Sequence, residues 1–237
     1  MNIKNFIKKK YIRLQGSRNI LKLNYFIEKY FRDKKLGNIG FDFSDKPNRL
    51  TVVQKIIETK KYKSYLEIGT FHDELFKNIK CDKKVGVDPV SGGTIRKTSD
   101  EFFKDNKEKF DCIFIDGLHY YSQVKRDIEN SLKALNSNGI ILLHDCLPNN
   151  HFEQAVPRCQ ITWNGDVWKA IVDLRQEKNI NIYTCEMDQG IGIIQKKENT
   201  KILKIDKNIN KLKFKDFYNN YKEYMRIISI KDLKEMF

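Results

Sequence analysis

Residues 110–117 read FDCIFIDG, a short apolar run that ends in an acidic residue followed by glycine. Two other runs have the same form: residues 65–69 read YLEIG and residues 140–145 read IILLHD. Runs of this length, bounded by glycine or charge and rich in Ile, Leu and Phe, are typical of strands buried on both faces of a parallel sheet. Because such sheets bind ligands at the carboxyl ends of their strands, we expect a functional site where these acidic residues meet.

Helical patterns separate the strands, so the middle of the chain predicts alternating strands and helices. A second strand over residues 84–88 stops at Pro89, and the next few residues are too few for a crossover helix, so we expect a reduced third strand. Residues 98–101 (TSDE) form a capping box before a helix over residues 102–109. The helix that follows Asp116 is expected to end at Asn138-Gly139.

The end of the predicted sheet differs from its middle. Residues 146–165 lack a regular pattern, and an irregular segment of this length above a sheet is commonly a functional lid. The strands at 182–185 and 190–195 are separated by a short turn that permits a hairpin. The last strand is therefore expected to run antiparallel to the others.

The predicted organisation is one α/β domain with two extensions, because a chain of 237 residues is long enough for one large core. A helical extension covers residues 1–48, the domain covers 49–197 with a lid at 146–166, and a helical extension covers 198–237. The first extension carries a basic amphipathic helix, for which membrane-surface docking, packing on the domain and a homodimer contact all stay open. Its apolar positions are Ile3, Phe6, Ile7, Tyr11 and Leu14.

The net charge of +14 comes mainly from lysines spread over nearly every polar segment. A dispersed charge of this kind is typical of a solvated surface, so we expect no nucleic-acid partner. The five cysteines contain no Cys-x-x-Cys pair for zinc or redox chemistry. No apolar stretch approaches the roughly 20 residues of a membrane span or has the form of a signal peptide, which predicts a cytoplasmic protein.

Glu67 and Asp88 end the first and second strands about 20 residues apart, a spacing at which an acidic residue accepts hydrogen bonds from ribose hydroxyls. The pattern favours a nucleoside-containing cofactor. A helix cap or a solvated strand edge would explain the same two residues equally well.

At this point the chain resembles the class I S-adenosylmethionine (SAM)-dependent methyltransferases, and among them a bacterial and viral branch associated with surface-sugar modification. The likeness extends from about residue 50 to residue 194 and rests on six blocks, YLEIGT (65–70), GVDP (86–89), TSDEFF (98–103), FIDGLH (114–119), LHDC (143–146) and WNGDVW (163–168). It implies a Rossmann-like, doubly wound and mostly parallel sheet with an antiparallel last strand.

The resemblance also implies which residues hold SAM. Glu67 and Gly69 would face the methionine moiety, Asp88 the ribose, Ser99 or Asp100 the adenine, with Asp116 also beside the cofactor. The turn after the first strand, residues 69–74 (GTFHDE), lacks the later glycines of the family. Such a turn suits cationic SAM better than a pyrophosphate, and it leaves open a weakened cofactor site.

Asp116 and Asp145 should end adjacent strands and converge on one spot. Such a pair either shares a proton or, with water and substrate hydroxyls, coordinates Mg²⁺. His119 would stand beside Asp116 and remove a proton from a substrate hydroxyl, or would merely cap a helix. The resemblance implies the same catalytic roles for Asp116, Asp145 and His119, and puts His144 where relatives carry a second carboxylate ligand, so that Asp116, His144 and Asp145 are the candidate metal ligands.

The lid supplies the candidate substrate residues. Asp166 is either the N-cap of the helix that follows or joins Arg158, Trp163 and Asn164 in closing over an acceptor. Trp163 either stacks on a sugar face or anchors the lid.

Together these features predict a SAM-dependent O-methyltransferase that acts on a hydroxyl of a small molecule or sugar, in surface glycan biosynthesis, with Mg²⁺ as a second candidate cofactor. Two alternatives stay open. One is a nucleic-acid methyltransferase or binder, and the other is a catalytically silent, methyltransferase-like binding subunit.

Overall fold

The computed structural model describes residues 17–31 and 36–237, so the predicted basic helix over residues 3–14 lies outside the described part. Seven strands form one sheet: β1 (Ser64–Ile68), β2 (Lys83–Val87), β3 (Phe110–Ile115), β4 (Leu135–Leu143), β5 (Asn181–Cys185), β6 (Ile191–Gln195) and β7 (Ile227–Ile228). The described helices are α1 (Arg18–Phe31), α2 (Arg49–Lys60), α3 (Ser99–Asp105), α4 (Tyr121–Ala134), α5 (Trp168–Leu174), α6 (Phe214–Met225) and α7 (Ile230–Met236), with a 3₁₀ turn at Ile209–Lys211.

The strand order is β2-β1-β3-β4-β6-β5-β7, and β6 alone among these strands runs against its neighbours. This confirms the predicted doubly wound α/β fold, its mostly parallel sheet and its hairpin at the end. The reduced third strand is also confirmed, because the segment after β2 contributes a single parallel bridge between Val87 and Ile95. β3 and β4 are direct neighbours, which brings the chain after each of them to the same edge.

Alternation along the strands divides the core into two layers. Leu66, Ile113 and Ile141 point to the layer that includes α4, α5 and α6. Tyr65, Phe114 and Leu142 point to the opposite layer, which includes α2 and residues 75–79. These side chains are fully or almost fully buried, as expected for strands covered on both faces.

Two predicted helices have the wrong boundaries. α3 extends from Ser99, directly after its N-cap Thr98, to Asp105, and not over residues 102–109. α4 ends at Ala134, and Asn138-Gly139 lies inside β4. A Cβ on Gly139 would lie 2.7 Å from the carbonyl oxygen of Asp111, so this glycine permits close approach of β3 and β4 instead of ending a helix.

The residues after 198 pack on the domain. Phe217 of α6 is buried with its ring centroid 5.0 Å from that of Trp168 in α5, and β7 pairs in parallel with β5. The predicted helix around Phe214 and Tyr224 is confirmed as α6. Over residues 17–31 and 36–237, no helix is both long enough and apolar enough to cross a bilayer.

Candidate active site

A cavity of about 680 Å³ lies at the carboxyl ends of β1, β2 and β3. It is the edge at which the sequence predicts a site, and the acidic ends of the strands open into it. Its lining includes Glu67, Gly69, Asp88, Ser99, Asp116, His119, Arg158 and Trp163. Asp100, His144, Asp145, Asn164 and Asp166 do not line it.

Glu67 is the buried acid on the β1 side of the cavity, with 2% of its surface exposed. Burial raises the pKa of its carboxyl to about 8, and the Tyr65 hydroxyl, which donates a hydrogen bond of 2.6 Å to Oε2, only partly offsets that effect. The carboxyl is therefore mainly protonated at neutral pH. A cationic group placed in the cavity would favour its ionised form.

Gly69 allows the turn after β1 to lie against the end of β3. Its φ is +88°, and an added Cβ would lie 2.1 Å from the carbonyl oxygen of Asp116. The rest of the turn carries side chains in an unusual backbone conformation: Phe71 and Asp73 both adopt positive φ, and Phe71 remains largely exposed at the cavity rim.

Asp88 organises the loop that follows β2. Its Oδ1 accepts hydrogen bonds from the amides of Val90 and Ser91, and its Oδ2 accepts one from the amide of Phe71 at 3.1 Å. Asp88 lines the cavity, and its Oδ2 retains acceptor capacity, since a carboxylate offers about four lone-pair sites. The residue thus ties the two strand-end turns together and is still able to bind a hydroxyl.

Ser99 and Asp100 differ in position although they are adjacent. Ser99 lines the cavity, whereas the Asp100 carboxylate accepts hydrogen bonds from Gln123 and Arg126 outside the lining. Gln123 and Asp127 of α4 line the cavity next to Ser99, and the sequence analysis missed both. The sequence feature that could have indicated them is their spacing of four residues in a helix, which puts both on one face of α4.

Asp116, His119, His144 and Asp145 form one cluster after β3 and β4, which we call the carboxylate–histidine cluster. His119 Nε2 lies 3.1 Å from Asp116 Oδ1, and His119 Nδ1 lies 3.3 Å from Asp145 Oδ2. His144 Nδ1 lies 3.4 Å from Asp116 Oδ1 and 3.2 Å from Asp145 Oδ2. The predicted convergence of the two carboxylates is confirmed, with an imidazole on each side of them.

Charge inside the cluster overrides the cost of burial. Burial opposes the charged form of Asp116, but His144 and His119 outweigh it and hold the pKa of that carboxyl well below its usual range. Burial likewise opposes protonation of the two imidazoles, but Asp145 and Asp116 raise the pKa of His119 and raise that of His144 further. The cluster therefore favours an ionised Asp116 carboxylate and protonated imidazoles.

Two further residues, which were not predicted from the sequence, contact the carboxylate–histidine cluster. Arg49, the first residue of α2, places its Nη1 3.0 Å from Asp116 Oδ2 and 3.0 Å from His144 Nδ1. Asp188, in the β5–β6 turn, has Oδ1 3.2 Å from His144 Nε2. One signal was available for Arg49: only nine of the 45 basic residues are arginines, and its planar, fixed charge suits contact with a carboxylate.

Asp116, His144 and Asp145 each offer a ligand atom within 4.8 Å of the others, as the sequence predicts for a metal site. The surroundings do not suit a divalent ion. Mg²⁺ needs its ligands at about 2 Å, and the Arg49 guanidinium already contacts two of the three groups. At an effective dielectric constant of about 20, unit charges 4 Å apart repel by about 4 kcal/mol, and a divalent ion would double that penalty.

The lid brings Trp163 and Arg158 to the cavity. The Trp163 ring stacks on His119 with centroids 5.0 Å apart, and its Nε1 donates to the carbonyl of Ala155 at 2.6 Å. It is therefore both a lid anchor and part of the cavity lining. The Arg158 guanidinium lies over the Trp163 ring and donates to the carbonyls of Gln160 and Ile161.

Asn164 and Asp166 have roles that the sequence analysis did not foresee. Asn164 is fully buried, and its Nδ2 donates to Asp145 Oδ1 at 3.2 Å. Asp166 Oδ1 accepts the amide of Tyr121 at 2.6 Å, and Oδ2 pairs with Lys169. The carboxylate thus caps α4 instead of its own helix α5, and it does not line the cavity.

Part of the domain is similar to a known protein family. Residues 44–146 match a family model described as a methyltransferase domain. The match includes β1 to β4, the turns that carry Glu67 and Asp88, and the carboxylate–histidine cluster up to residue 146. No curated protein matches the chain in sequence.

Three solved structures resemble the chain at low sequence identity. A Podospora anserina methyltransferase bound to S-adenosylhomocysteine (SAH) is 15% identical with a TM-score of 0.48, over 84% of this chain and 97% of that one. An O-methyltransferase from Bacillus cereus in complex with SAH is 13% identical with a TM-score of 0.47, over 73% and 96% of the two chains. The O-methyltransferase TomG from Streptomyces achromogenes, involved in tomaymycin synthesis and solved with SAM, is 11% identical with a TM-score of 0.48, over 81% and 96%.

The strand order and the cavity at the carboxyl edge agree with the match of residues 44–146 to a methyltransferase domain. The residues around the cavity fit SAM as a cofactor. Acidic side chains, namely Glu67, Glu74, Asp88 and Asp116, surround a cavity of sufficient volume, and SAM is cationic at its sulfur. Glu67 and Gly69 would hold its amino-acid end, and Asp88 its ribose.

Proposed function

We propose that this chain transfers the methyl group of SAM to a hydroxyl oxygen of a small molecule or sugar, with a surface glycan or its precursor as the acceptor class. The observation that carries the proposal is the position of His119. Its ring lies in the wall of the cavity, between two carboxylates, and beside a tryptophan of the lid.

SAM, when bound, supplies the methyl group and an activated sulfonium leaving group. What the protein contributes is alignment, exclusion of water and acceptance of one proton. The lid contributes to exclusion, because Trp163 and Arg158 line the cavity.

The proton acceptor is the neutral form of the His119 imidazole, the fraction of which increases as the pH rises toward and above the raised pKa of the ring. Asp116 and Asp145 contact opposite nitrogens of the ring, at 3.1 and 3.3 Å. An acceptor hydroxyl that reaches His119 would lose its proton to the imidazole, and the carboxylates would stabilise the imidazolium that forms. Asp116 is the partner that itself lines the cavity.

The acceptor would bind on the side of Trp163. An aromatic ring beside polar groups suits the apolar face of a sugar or of a planar small molecule. The Trp163 ring is already held by His119 on one face and by its indole hydrogen bond to Ala155, so it requires no ordering on binding.

The test is His119→Ala, assayed for SAM binding by calorimetry and for turnover with a panel of hydroxylated acceptors. We expect SAM affinity to be retained and turnover to fall by about 100-fold or more, the usual contribution of a positioned base. Added imidazole should restore part of the turnover, because the truncated side chain leaves room beside the cavity. Full turnover without imidazole would remove His119 from the mechanism, and a wild-type chain that does not bind SAM would contradict the proposal itself.

A further inference from the structure

Two hydrogen bonds that do not involve the Arg49 side chain fix the position of its backbone. Asn48 caps α2 by accepting the amide of Thr51 at 3.0 Å, which fixes where the helix begins. The backbone amide of Arg49 donates to Asp188 Oδ2 at 2.6 Å, which ties that end of the helix to the β5–β6 turn. The Arg49 side chain therefore extends into the carboxylate–histidine cluster from a backbone position that is fixed.

Inside the cluster, the guanidinium makes contacts that a metal ion would otherwise make. Nη1 lies 3.0 Å from Asp116 Oδ2 and 3.0 and 3.1 Å from the two ring nitrogens of His144. Nε lies 3.8 Å from Asp188 Oδ2. One cation thus reaches two of the three groups of the candidate metal site, and also the acid next to them.

The charge of Arg49 is permanent, because a guanidinium does not lose its proton in proteins. A divalent ion bound to Asp116 and His144 would have to share the space between them with this group. Arg49 also cannot withdraw easily, since the start of α2 is held by Asn48 and Asp188. Both features disfavour a divalent metal ion.

We propose that Arg49 is the resident cation of the carboxylate–histidine cluster, and that it closes the metal site that Asp116, His144 and Asp145 would otherwise form. The charge that a divalent ion would supply to Asp116 comes from the chain itself. Arg49 acts as a positioning residue: it holds the Asp116 carboxylate through Oδ2 and leaves Oδ1 to His119. This inference concerns metal binding and does not depend on the identity of the acceptor.

Binding of Mn²⁺ tests the proposal without any measurement of methyl transfer. The electron paramagnetic resonance signal of free Mn²⁺ is followed as the full chain is added, for the wild type, Arg49→Met and Arg49→Lys. We expect the wild type and Arg49→Lys to bind Mn²⁺ weakly. Arg49→Met keeps an unbranched side chain and the backbone amide contact to Asp188 but removes the charge, so its affinity should be on the order of 100-fold higher.

Two further variants locate the effect. Adding Asp116→Asn to Arg49→Met should abolish the gained Mn²⁺ affinity, because the gained site uses that carboxylate. Arg18→Ala is the matched control: it removes an exposed arginine of α1 and should bind Mn²⁺ as the wild type does. Circular dichroism confirms that each variant is folded.

Three results would overturn the proposal. The first is tight Mn²⁺ binding by the wild type that Asp116→Asn abolishes. The second is a folded Arg49→Met variant with wild-type Mn²⁺ affinity. The third is a gain of affinity that persists when Asp116→Asn is added. If Arg49→Met does not fold, the wild type measured beside its Asp116→Asn variant still decides, because equal and weak binding by both supports a closed site.

Discussion

The two sides of the cavity shift the pKa values of their acidic side chains in opposite directions. On the β1–β2 side, the Glu67 carboxyl is buried and makes its side-chain hydrogen bond to Tyr65, and burial raises its pKa to about 8. On the β3–β4 side, Asp116 lies among His119, His144 and Arg49, and their charge holds its pKa well below the usual range. One side is thus prepared to receive positive charge from a ligand, whereas the other already contains its own.

The difference arises because the residues around the acids come from different parts of the chain on the two sides. The β1–β2 side is built from the turns that directly follow two adjacent strands, and Gly69 and Asp88 hold those turns together. The β3–β4 side draws on residues far apart in the chain, since Arg49 and Asp188 are separated by 139 positions. Long-range packing can supply compensating charges that local turns do not.

Gly69→Ala should have the largest effect of these variants. The added side chain would push the turn after β1 away from the end of β3, and so would separate the two sides of the cavity. The new Cβ would lie 2.1 Å from the carbonyl oxygen of Asp116, and the φ of +88° disfavours any side chain. We expect the free energy of unfolding in urea to fall by about 3 kcal/mol or more. Gly117→Ala is the control, because the nearest atom to its added Cβ is 3.6 Å away, and a loss of about 1 kcal/mol or less is expected. Equal losses in the two variants would show that the close approach at Gly69 is not required.

Glu67 offers a way to sharpen the contrast through pH. Because its pKa is raised to about 8, the carboxylate that attracts a cation increases as pH rises toward that value. Affinity for SAM, measured by calorimetry, should therefore rise with pH by up to about tenfold per unit below the pKa, and become level above it. Glu67→Gln should remove this dependence.

Tyr65→Phe is the companion variant for Glu67. The Tyr65 hydroxyl donates to the Glu67 carboxyl and lowers its pKa, so its loss should move the midpoint of the affinity curve to higher pH. The range from about pH 6.5 to about pH 8.5 brackets a pKa of about 8. If the affinity of the wild type for SAM does not change over this range, the charge of the ligand lies away from Glu67.

Asp166 should show the smallest effect, because the structure assigns it to a helix cap on the β3–β4 side. Asp166→Ala leaves the amide of Tyr121 without its acceptor and should cost about 1 kcal/mol of unfolding free energy. Asp166→Asn retains an acceptor oxygen and should recover most of that loss. A rise in KM for the acceptor, with stability unchanged, would instead assign Asp166 to substrate binding.

Much of the β1–β2 side could be predicted from sequence because it depends on local features. A buried strand must stop where a charged residue or glycine follows, and parallel strands end at one edge, so Glu67, Asp88, Asp116 and Asp145 were assigned to that edge correctly. The antiparallel β6 followed from the short turn before it. The error at Gly139 had a local cause too, since glycine serves equally at helix ends and at close strand contacts.

The composition of the β3–β4 side could not be predicted in the same way. Nothing near Arg49 or Asp188 in the chain indicates that they meet at His144, and nothing near Asp166 indicates that it caps a helix 45 positions away. Residue types and strand periodicity, which are properties of short segments, thus establish the α/β fold, the edge that carries the site and the acids that reach it. The partners of those acids, and hence their protonation and the place for a cation, arise only from packing between distant segments, because pKa values depend on burial and on charges within a few ångströms in space.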